Sequence, residues 1–490
     1  MWQTTLVEGY KGPRAVVVGS GLAGLVSALE LAAEGWRVAV LSAGRAGRDG
    51  ATHRVHALAP WVLLNSPCSR GDGPDAFLAD LKRRGRGLER AGLAEVLAAE
   101  AHAAARELVE ILDLVPMDPG PVILPGDTHA RGFRCLPRDR HVMLAPLLAR
   151  CAQAGVHVRE RTLAVGLRVR DERVTGVAAL GRGSGELVEI AADAVLLACG
   201  GSGRVFPVAT GPRWCRGTGL ALGSAAGVLL HRPELTQALP VTATRPLHFF
   251  PTSAALLAGR IVVGGRAIPH GLDLEETTAE IAKALHGGAA AYLEPSEGGG
   301  AMLPDRLRES ASFTSEGRVP LTVASHHGIG GVAVDSWGRT SLAGLYACGE
   351  AAGGVQGRRR MMGTGLLEAL IFGRRAARAA CRDAARLGPA QSGGDVTIPP
   401  IPTDPAACER ALDALLAPLV AWRPAEAVAA AIDEIGRWGV SAAGGVDEGG
   451  ALAGIRRGAA LAILSSEQTE RQACEGAWPA SVAARGAEAS

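Results

Sequence analysis

The 490-residue chain lacks several features that would assign it to a functional class. Its net charge is only +2, so no excess of positive charge is present to attract nucleic acid or an anionic membrane. Its nine cysteines are scattered without a CxxC pair, which argues against zinc or thioredoxin-like chemistry and favours a reducing compartment. No signal-peptide core and no uncharged run of membrane-spanning length is found. These absences predict a cytoplasmic protein without nucleic-acid or membrane partners.

Glycine and aliphatic residues, in contrast, are abundant. The chain contains 66 glycines, and 48% of its residues are hydrophobic, a composition typical of a folded α/β protein with many tight turns. The length is sufficient for two or three domains with a large buried core.

A glycine-rich turn follows the first buried strand. The strand at 15–18 leads into Gly19-Ser20-Gly21-Leu22-Ala23-Gly24, a helix continues to about Glu34, and the next strand covers 37–41. In such a βαβ unit the first glycine makes the turn, the second admits a pyrophosphate, and the third packs helix on strand. The segment therefore predicts a dinucleotide site.

Two further elements place glycine directly after a buried strand. The strand at 194–198 is followed by Gly200-Gly201, and the strand at 345–347 by Gly349-Glu350. The carboxyl ends of strands are where α/β sheets bind ligands. After Glu350 come three consecutive arginines, 358–360, and a helix that begins near Leu366. A cationic loop that leads into a helix N-terminus is suited to hold an anion.

These three elements, in this order, resemble the FAD contacts of the flavoprotein family that includes L-aspartate oxidase, fumarate reductase and succinate dehydrogenase. The resemblance covers residues 14–377 and implies FAD as cofactor. The residues that it places against FAD are Gly19, Gly21, Leu22, Ala23, Gly24, Ser42, Ala198, Gly200, Gly201, Gly349, Glu350, Gly365, Leu366 and Leu367.

Two positions distinguish branches of this family. Ser42 stands where most dinucleotide folds carry an acidic residue for the ribose, and L-aspartate oxidases tend to carry a hydroxyl residue there, which favours FAD over NAD. Ala51 precedes Thr52 where respiratory members carry a histidine that bonds covalently to FAD. The resemblance therefore implies non-covalent FAD and the L-aspartate oxidase branch.

The fold that the resemblance implies is α/β: a Rossmann-like FAD-binding domain with an inserted α+β capping domain and a small C-terminal helical domain. The corresponding ranges are 1–240 with 323–390, 241–322 and 400–490. The Gly-, Pro- and Thr-rich segment 392–405 predicts a linker, and Ala- and Leu-rich patterns predict helices at 407–416, 424–438 and 451–464.

The substrate positions of the family are only partly retained. His326 and Arg360 match the histidine and the loop arginine that contact a dicarboxylate, and we expect both to be catalytic-site residues. Leu239 and Ala258 replace the histidine of one motif and the proton-handling arginine of another. Arg260, two residues after Ala258, is a candidate replacement for that arginine.

The first hypothesis is therefore an enzyme like L-aspartate oxidase, which transfers a hydride from the α-carbon of an amino dicarboxylate to FAD and forms an imino acid for NAD biosynthesis. Oxygen or fumarate would serve as electron acceptor. One alternative is a fumarate reductase or succinate dehydrogenase-type flavoprotein that acts on another carboxylate. The other is a repurposed flavoprotein whose substrate site has changed.

Overall fold

The structure is a computed structural model. It describes residues 3–4, 12–54, 61–69, 71–118, 120–139, 142–244, 247, 259–268, 274–296, 313–391, 393–421, 423–440 and 446–486. Within this part of the chain, no helix combines the length and apolar character that crossing a bilayer requires.

Helices and strands alternate along the first half of the chain, and helices dominate its end. The helices are α1 (Leu22–Ala33), α2 (Ala51–Arg54), α3 (Pro74–Gly85), α4 (Leu93–Ile111), α5 (Ala145–Gln153), α6 (Thr218–Ala225), α7 (Leu274–His286), α8 (Gly365–Leu387), α9 (Pro405–Leu416), α10 (Ala425–Arg437) and α11 (Glu448–Gly486). The strands are β1 (Gln3–Thr4), β2 (Arg14–Val18), β3 (Arg37–Leu41), β4 (Val62–Asn65), β5 (Leu114–Pro116), β6 (Gly132–Pro137), β7 (His157–Arg159), β8 (Thr162–Arg170), β9 (Arg173–Gly181), β10 (Leu187–Ala191), β11 (Ala194–Leu197), β12 (Leu230–His231), β13 (Thr236–Thr242), β14 (Gly259–Val263), β15 (Arg266–Ala267), β16 (Ala291–Pro295), β17 (Val319–Gly328), β18 (Gly331–Ala333), β19 (Leu345–Ala347), β20 (Ala352–Gly353) and β21 (Asp395–Thr397).

A parallel sheet in the order β19-β11-β2-β3-β7 organises the site. Its central strands are short aliphatic runs that are almost fully buried, as expected when helices cover both faces of a parallel sheet. Strands β2, β11 and β19 are the three that precede the glycine-rich turns, and they are neighbours. All three turns therefore emerge at the same edge of the sheet.

Helices α1 and α8 cross closely beside this sheet. The Ser27 hydroxyl on α1 donates to the carbonyl of Gly373 on α8 at 2.8 Å, and a side chain at Gly373 would crowd the backbone of Ala23. Since both helices begin at the carboxyl edge of the sheet, their N-termini lie on the side where the glycine-rich turns emerge.

A second sheet contains the antiparallel strands β8, β9 and β10, which lie between the first two glycine elements along the chain. At one edge β21 pairs with β8. Strand β21 lies within the predicted linker 392–405, so the linker prediction is wrong for residues 395–397. The hydrogen bonds that this segment makes to β8 are long-range pairings that its Gly- and Pro-rich composition does not reveal.

The capping region is a sheet in the order β13-β17-β16-β14-β15, against which α7 packs. The predicted boundaries at 240/241 and 322/323 fall inside the paired strands β13 and β17. These two strands are thus continuous between the predicted FAD-binding and capping regions. Ala258 lies outside the described residues.

The three predicted C-terminal helices are present as α9, α10 and α11, and the last is longer than the pattern 451–464 suggests. Their apolar faces form a core with part of the capping sheet. The buried Arg456 pairs with Glu409 and Asp413 on α9, and its Nε donates to the carbonyl of Val205 at 3.0 Å. This side chain therefore ties the C-terminal helices to the loop that follows the second glycine cluster.

Candidate active site

The three glycines of the first turn are needed for different physical reasons. Gly19 has a φ of +118°, and a Cβ there would overlap the Ala198 carbonyl; a Cβ at Gly24 would overlap the Gly19 carbonyl. A Cβ at Gly21 would meet only the Thr52 hydroxyl, at 3.4 Å. Gly19 and Gly24 are thus required by the protein's own packing, whereas Gly21 leaves room for a group from outside.

The start of α1 is suited to a phosphate group. Gly21 provides no side-chain cap, and the first turn of the helix contains no acidic residue, so the positive end of the helix dipole is not neutralised from within the helix. The hydroxyls of Ser20 and Ser42 lie 2.8 Å apart beside this turn. The structure therefore places Ser42 at the same edge as the glycine turn.

Glu350 connects the second and third glycine elements. A Cβ at Gly201 would overlap the Glu350 carboxylate, so the side chain crosses over that glycine. Its Oε1 accepts a hydrogen bond from the Gly328 amide at 3.0 Å and lies 3.4 Å from Nδ1 of His327. Burial raises the pKa of Glu350 to about 7, against the opposing effects of the Gly328 amide and Arg360.

The three consecutive arginines have separate environments. Arg358 is exposed, and Arg359 pairs with Glu276 of α7 at 3.6 Å. Arg360 turns inward: its Nη1 donates to Oε1 of Gln237 at 3.4 Å, and its Nη2 lies against the Cα of Gly365 at the start of α8. Its Nε is buried and has no hydrogen-bond partner among the described residues. Arg360 is thus a cation with a free donor in the interior.

His326 is held beside this cation by a distant segment of chain. The Ser325 amide donates to the Val208 carbonyl, and the Thr210 amide donates to the Ser325 carbonyl, each at 2.9 Å. This pairing places the Thr210 hydroxyl 2.7 Å from Nδ1 of His326. Burial, reinforced by Arg360, lowers the pKa of His326 to about 3, so the ring is neutral at physiological pH.

These groups form one polar cluster, deep in the protein and still partly accessible, which we call the cleft. Burial shifts the pKa of His326, His327, Glu350 and Arg360, yet each side chain remains partly accessible; His327 and Glu350, for example, are 13% and 15% exposed. Polar groups that are deep in the protein and still accessible are typical of a binding site. With both histidines neutral, Arg360 is the group that brings positive charge to this cluster.

A buried hydrogen-bond network supports the turn between Arg360 and α8. The Thr364 hydroxyl lies 2.8 Å from the Glu368 carboxylate, and the Gln356 amide donates to the Thr364 hydroxyl at 2.9 Å. The Met361 amide in turn donates to Oε1 of Gln356 at 2.9 Å. Because each partner is buried, loss of one would leave another unsatisfied, so this network holds the turn in one conformation.

Asn65 and Asp127 brace the same turn from the other side. The Asn65 amide nitrogen donates to the Met362 carbonyl and to the Asp127 carboxylate, both at 3.0 Å. Burial raises the pKa of Asp127 to about 6. Folding therefore disfavours the ionised form of Asp127. The hydrogen bond from Asn65 needs only an acceptor oxygen, which a neutral side chain also provides.

Asp127→Asn is expected to stabilise the protein at alkaline pH. A raised folded-state pKa means that the stabilising contribution of the protonated form is lost as pH rises from about 4 through 6. The neutral amide avoids this loss. We therefore expect the free energy of unfolding to rise by about 1–2 kcal/mol at pH 8, allowing for partial exposure, and to change little near pH 4. Urea unfolding at both pH values measures it. Asp118→Asn, at an exposed position, is the control, and a gain that does not grow with pH would contradict the prediction.

The structure brings His326 and Arg360 together and separates Arg260 from them. Arg260 lies on β14 with 62% of its side chain exposed and pairs with Glu294 on β16 at 2.8 Å. It lines a groove of about 440 Å³ with Arg318 and Tyr292. No contact among the described residues joins it to the cleft. The geometry therefore argues against Arg260 as a replacement for the missing arginine, because proton transfer requires the group to reach the reacting atoms.

Sequence reasoning missed several residues of the cleft. Thr210 carries no pattern that reveals it, since its position depends on long-range pairing. Glu368 had a signal, because it directly follows the Gly365-Leu366-Leu367 stretch that the resemblance places against FAD. Gln237 and His327 had a signal: Gln237 begins a stretch that matches a substrate motif of the family, and His327 directly follows His326.

Comparisons with known proteins agree with this geometry. The family model described as "FAD binding domain" matches residues 14–263 and 279–366. An L-aspartate oxidase of Caulobacter vibrioides is 32% identical over 82% of this chain and 81% of its own length. A fumarate reductase (CoM/CoB) chain of Methanothermobacter marburgensis is 28% identical over 75% of this chain and 72% of its own length. Mycobacterium smegmatis Sdh1 in complex with UQ1 superposes with a TM-score of 0.78 at 23% identity, over 93% of this chain and 87% of that one. The predicted fold class is confirmed.

Proposed function

This chain belongs to the FAD-binding flavoprotein family that contains the L-aspartate oxidases and the fumarate reductase flavoproteins, and we propose that it oxidises an amino dicarboxylate such as L-aspartate. The predictions of FAD as cofactor and of an FAD-dependent oxidoreductase are confirmed by that membership. The substrate, the residues that bind it and the electron acceptor are proposals, and they rest on the geometry of the cleft.

The residues present fit FAD. Gly21 is open to an approaching group although its neighbours Gly19 and Gly24 are closed by packing, and the N-terminus of α1 faces the same edge of the sheet. The proposed contacts are the glycine turns, with Leu22 and Ala23 at the start of α1, Ser42 near the ribose, and Ala198, Gly200, Gly201, Gly349 and Glu350 along the edge. Gly365, Leu366 and Leu367 would face the flavin, whose reduced form carries negative charge that a helix N-terminus stabilises.

Arg360 carries the substrate proposal. Its guanidinium is turned into the cleft, has an unpartnered buried Nε and lies at the start of α8. A carboxylate bound there gains a charge-assisted hydrogen bond and the helix dipole together. His326, neutral and oriented by Thr210, is suited to hydrogen-bond a carboxylate oxygen. Two such contacts would fix the α-carbon of the substrate in one position.

Bound FAD would supply a two-electron acceptor for the hydride from that α-carbon. The amino group of the substrate loses a proton in the same oxidation, and the product is an imino acid. Hydrolysis of the imino acid would release ammonia, and oxygen or fumarate would restore the oxidised cofactor. An imino dicarboxylate is a precursor suited to NAD biosynthesis. The eight cysteines between residues 68 and 408 are free thiols, in keeping with the proposed cytoplasmic location.

A second candidate is favoured by the altered substrate motifs. Leu239 is buried on β13 in place of a histidine, and Ala258 replaces the arginine that handles the proton in the resembled enzymes. These losses support a flavoprotein of the succinate or fumarate type with another carboxylate substrate, or a repurposed flavoprotein. Non-covalent FAD is proposed in either case because Ala51 replaces the histidine that would form the bond.

Anaerobic mixing of the FAD-loaded protein with L-aspartate is expected to bleach the flavin absorbance in a single phase, with release of one ammonia per flavin reduced. D-Aspartate and succinate serve as controls for stereochemistry and for the alternative substrate class. Bleaching by succinate but not by L-aspartate would transfer the assignment to the second candidate. Bleaching by dithionite alone would contradict both dicarboxylate proposals.

A further inference from the structure

Three parts of the protein meet at the side chain of Arg84. This arginine lies on α3, is 9% exposed, and donates from Nη1 to the Pro125 carbonyl at 3.2 Å. Its Nη2 donates both to the Glu275 carboxylate and to the backbone carbonyl of Arg360, each at 3.0 Å. Glu275 belongs to the first turn of α7 in the capping region. One nitrogen atom therefore links the capping helix to the backbone of the proposed substrate-binding arginine.

A second ion pair runs in parallel. Arg359, the residue before Arg360, lies 3.6 Å from Glu276, the residue after Glu275. The adjacent residues Glu275 and Glu276 of the capping helix are thus paired with an arginine of α3 and with an arginine of the loop. The inner pair, Arg84 with Glu275, is the less exposed of the two, since Glu275 is 21% and Glu276 47% exposed. Because exposed pairs are screened by solvent, we assign the larger effect to the inner pair.

The chemistry of the shared nitrogen makes the two contacts dependent on each other. Nη2 of an arginine carries two N–H groups, and both are used, one for Glu275 and one for the Arg360 carbonyl. If the capping helix moves away, Arg84 loses its paired carboxylate while it remains largely buried. The carboxyl that still acts on it is Asp127, whose ionised form burial disfavours. A buried charge without a paired carboxylate is costly, so the guanidinium would turn toward water or another acceptor. That rotation would break the bond to Arg360.

We propose that Arg84 is a positioning residue for Arg360, and that the Arg84–Glu275 pair is the contact through which the packed capping helix α7 sets that position. Packing of α7 against Arg84 and binding of a carboxylate at Arg360 are then coupled, and each favours the other. The link to substrate rests on the proposed role of Arg360 as a carboxylate ligand. The coupling between the capping helix and the arginine loop is independent of that role.

Glu275→Gln in the FAD-loaded protein tests the proposal, because it removes the charge and keeps the shape. We expect amide hydrogen exchange to become about tenfold faster both in α7 and in residues 357–363. Both segments open locally more often once the half-buried ion pair that opposes opening is lost. The KM for the dicarboxylate should rise about tenfold with a smaller change in kcat. FAD affinity, measured by fluorescence titration, should not change. Glu280→Gln, at an exposed position of the same helix, is the matched control.

Arg84→Lys and the double variant with Glu275→Gln complete the test. Lysine keeps the charge but cannot hold both acceptors through one planar group, so we expect the same two segments to exchange faster. The double variant should be no worse than the more affected single variant, since both act through one contact. Faster exchange in α7 without a change at 357–363, or equal behaviour of Glu275→Gln and Glu280→Gln, would overturn the coupling. If no dicarboxylate is turned over, the exchange measurement still decides it, while the proposed function fails separately.

Discussion

Arg360→Ala is expected to lower kcat/KM for the dicarboxylate about 1,000-fold, which corresponds to about 4 kcal/mol for loss of one partner of a desolvated charge pair. Both neighbouring histidines are neutral because burial lowers the pKa of each, so they cannot replace the lost charge. The remaining acid groups, Glu350 and Glu368, would repel a carboxylate when ionised. Steady-state kinetics with FAD-saturated protein measure the effect.

The neighbouring arginines provide an internal control for this prediction. Arg358 is exposed, and Arg358→Ala is expected to change kcat/KM by no more than about twofold, as for most surface substitutions. Arg360→Lys should be intermediate, because lysine keeps the charge without the planar fork. Equal losses in Arg358→Ala and Arg360→Ala would indicate that the run acts as a diffuse positive patch and would refute the assigned carboxylate contact.

Gly21→Ala is expected to weaken FAD binding about 100-fold, or about 2.7 kcal/mol, without loss of the apoprotein fold. Gly21 has φ −76° and ψ −176°, a conformation that alanine adopts freely. Within the protein the added methyl would meet only the Thr52 hydroxyl at 3.4 Å. The added methyl group is therefore expected to weaken FAD binding, because it blocks the close approach of the pyrophosphate to this backbone. FAD titration, followed by fluorescence, and thermal unfolding of the apoprotein separate the two effects.

Gly24→Ala is the matched contrast in the same turn. Its methyl group would overlap the Gly19 carbonyl, so the apoprotein itself should be destabilised. If Gly21→Ala bound FAD as the original protein does, the pyrophosphate could not lie against this glycine. If Gly21→Ala unfolded the apoprotein, the conclusion that the fold leaves room for a methyl group at this position would be wrong.

Sequence alone determined the elements whose signals are local. The strand predicted at 37–41 is observed at Arg37–Leu41, and the helix predicted to begin near Leu366 begins at Gly365. Each glycine-rich turn follows a strand because a tight turn and a close helix approach require glycine at that point in the chain. Strand, turn and helix are neighbours in sequence, so their order alone indicated a dinucleotide site and the family.

Only the tertiary structure decided which polar residues share the cleft. Thr210 and His326 are separated by 116 positions, and their contact depends on the pairing of the Ser325 backbone with residues 208–210. The run 358–360 is uniform in sequence, yet packing turns one arginine to solvent, pairs one with the capping helix and buries one at the start of α8. Arg260 faces outward on β14, whereas the residues on either side of it, Gly259 and Ile261, are buried, because successive strand residues point to opposite faces. Local patterns specify which residue types are available at each position, and long-range packing alone decides which of them meet.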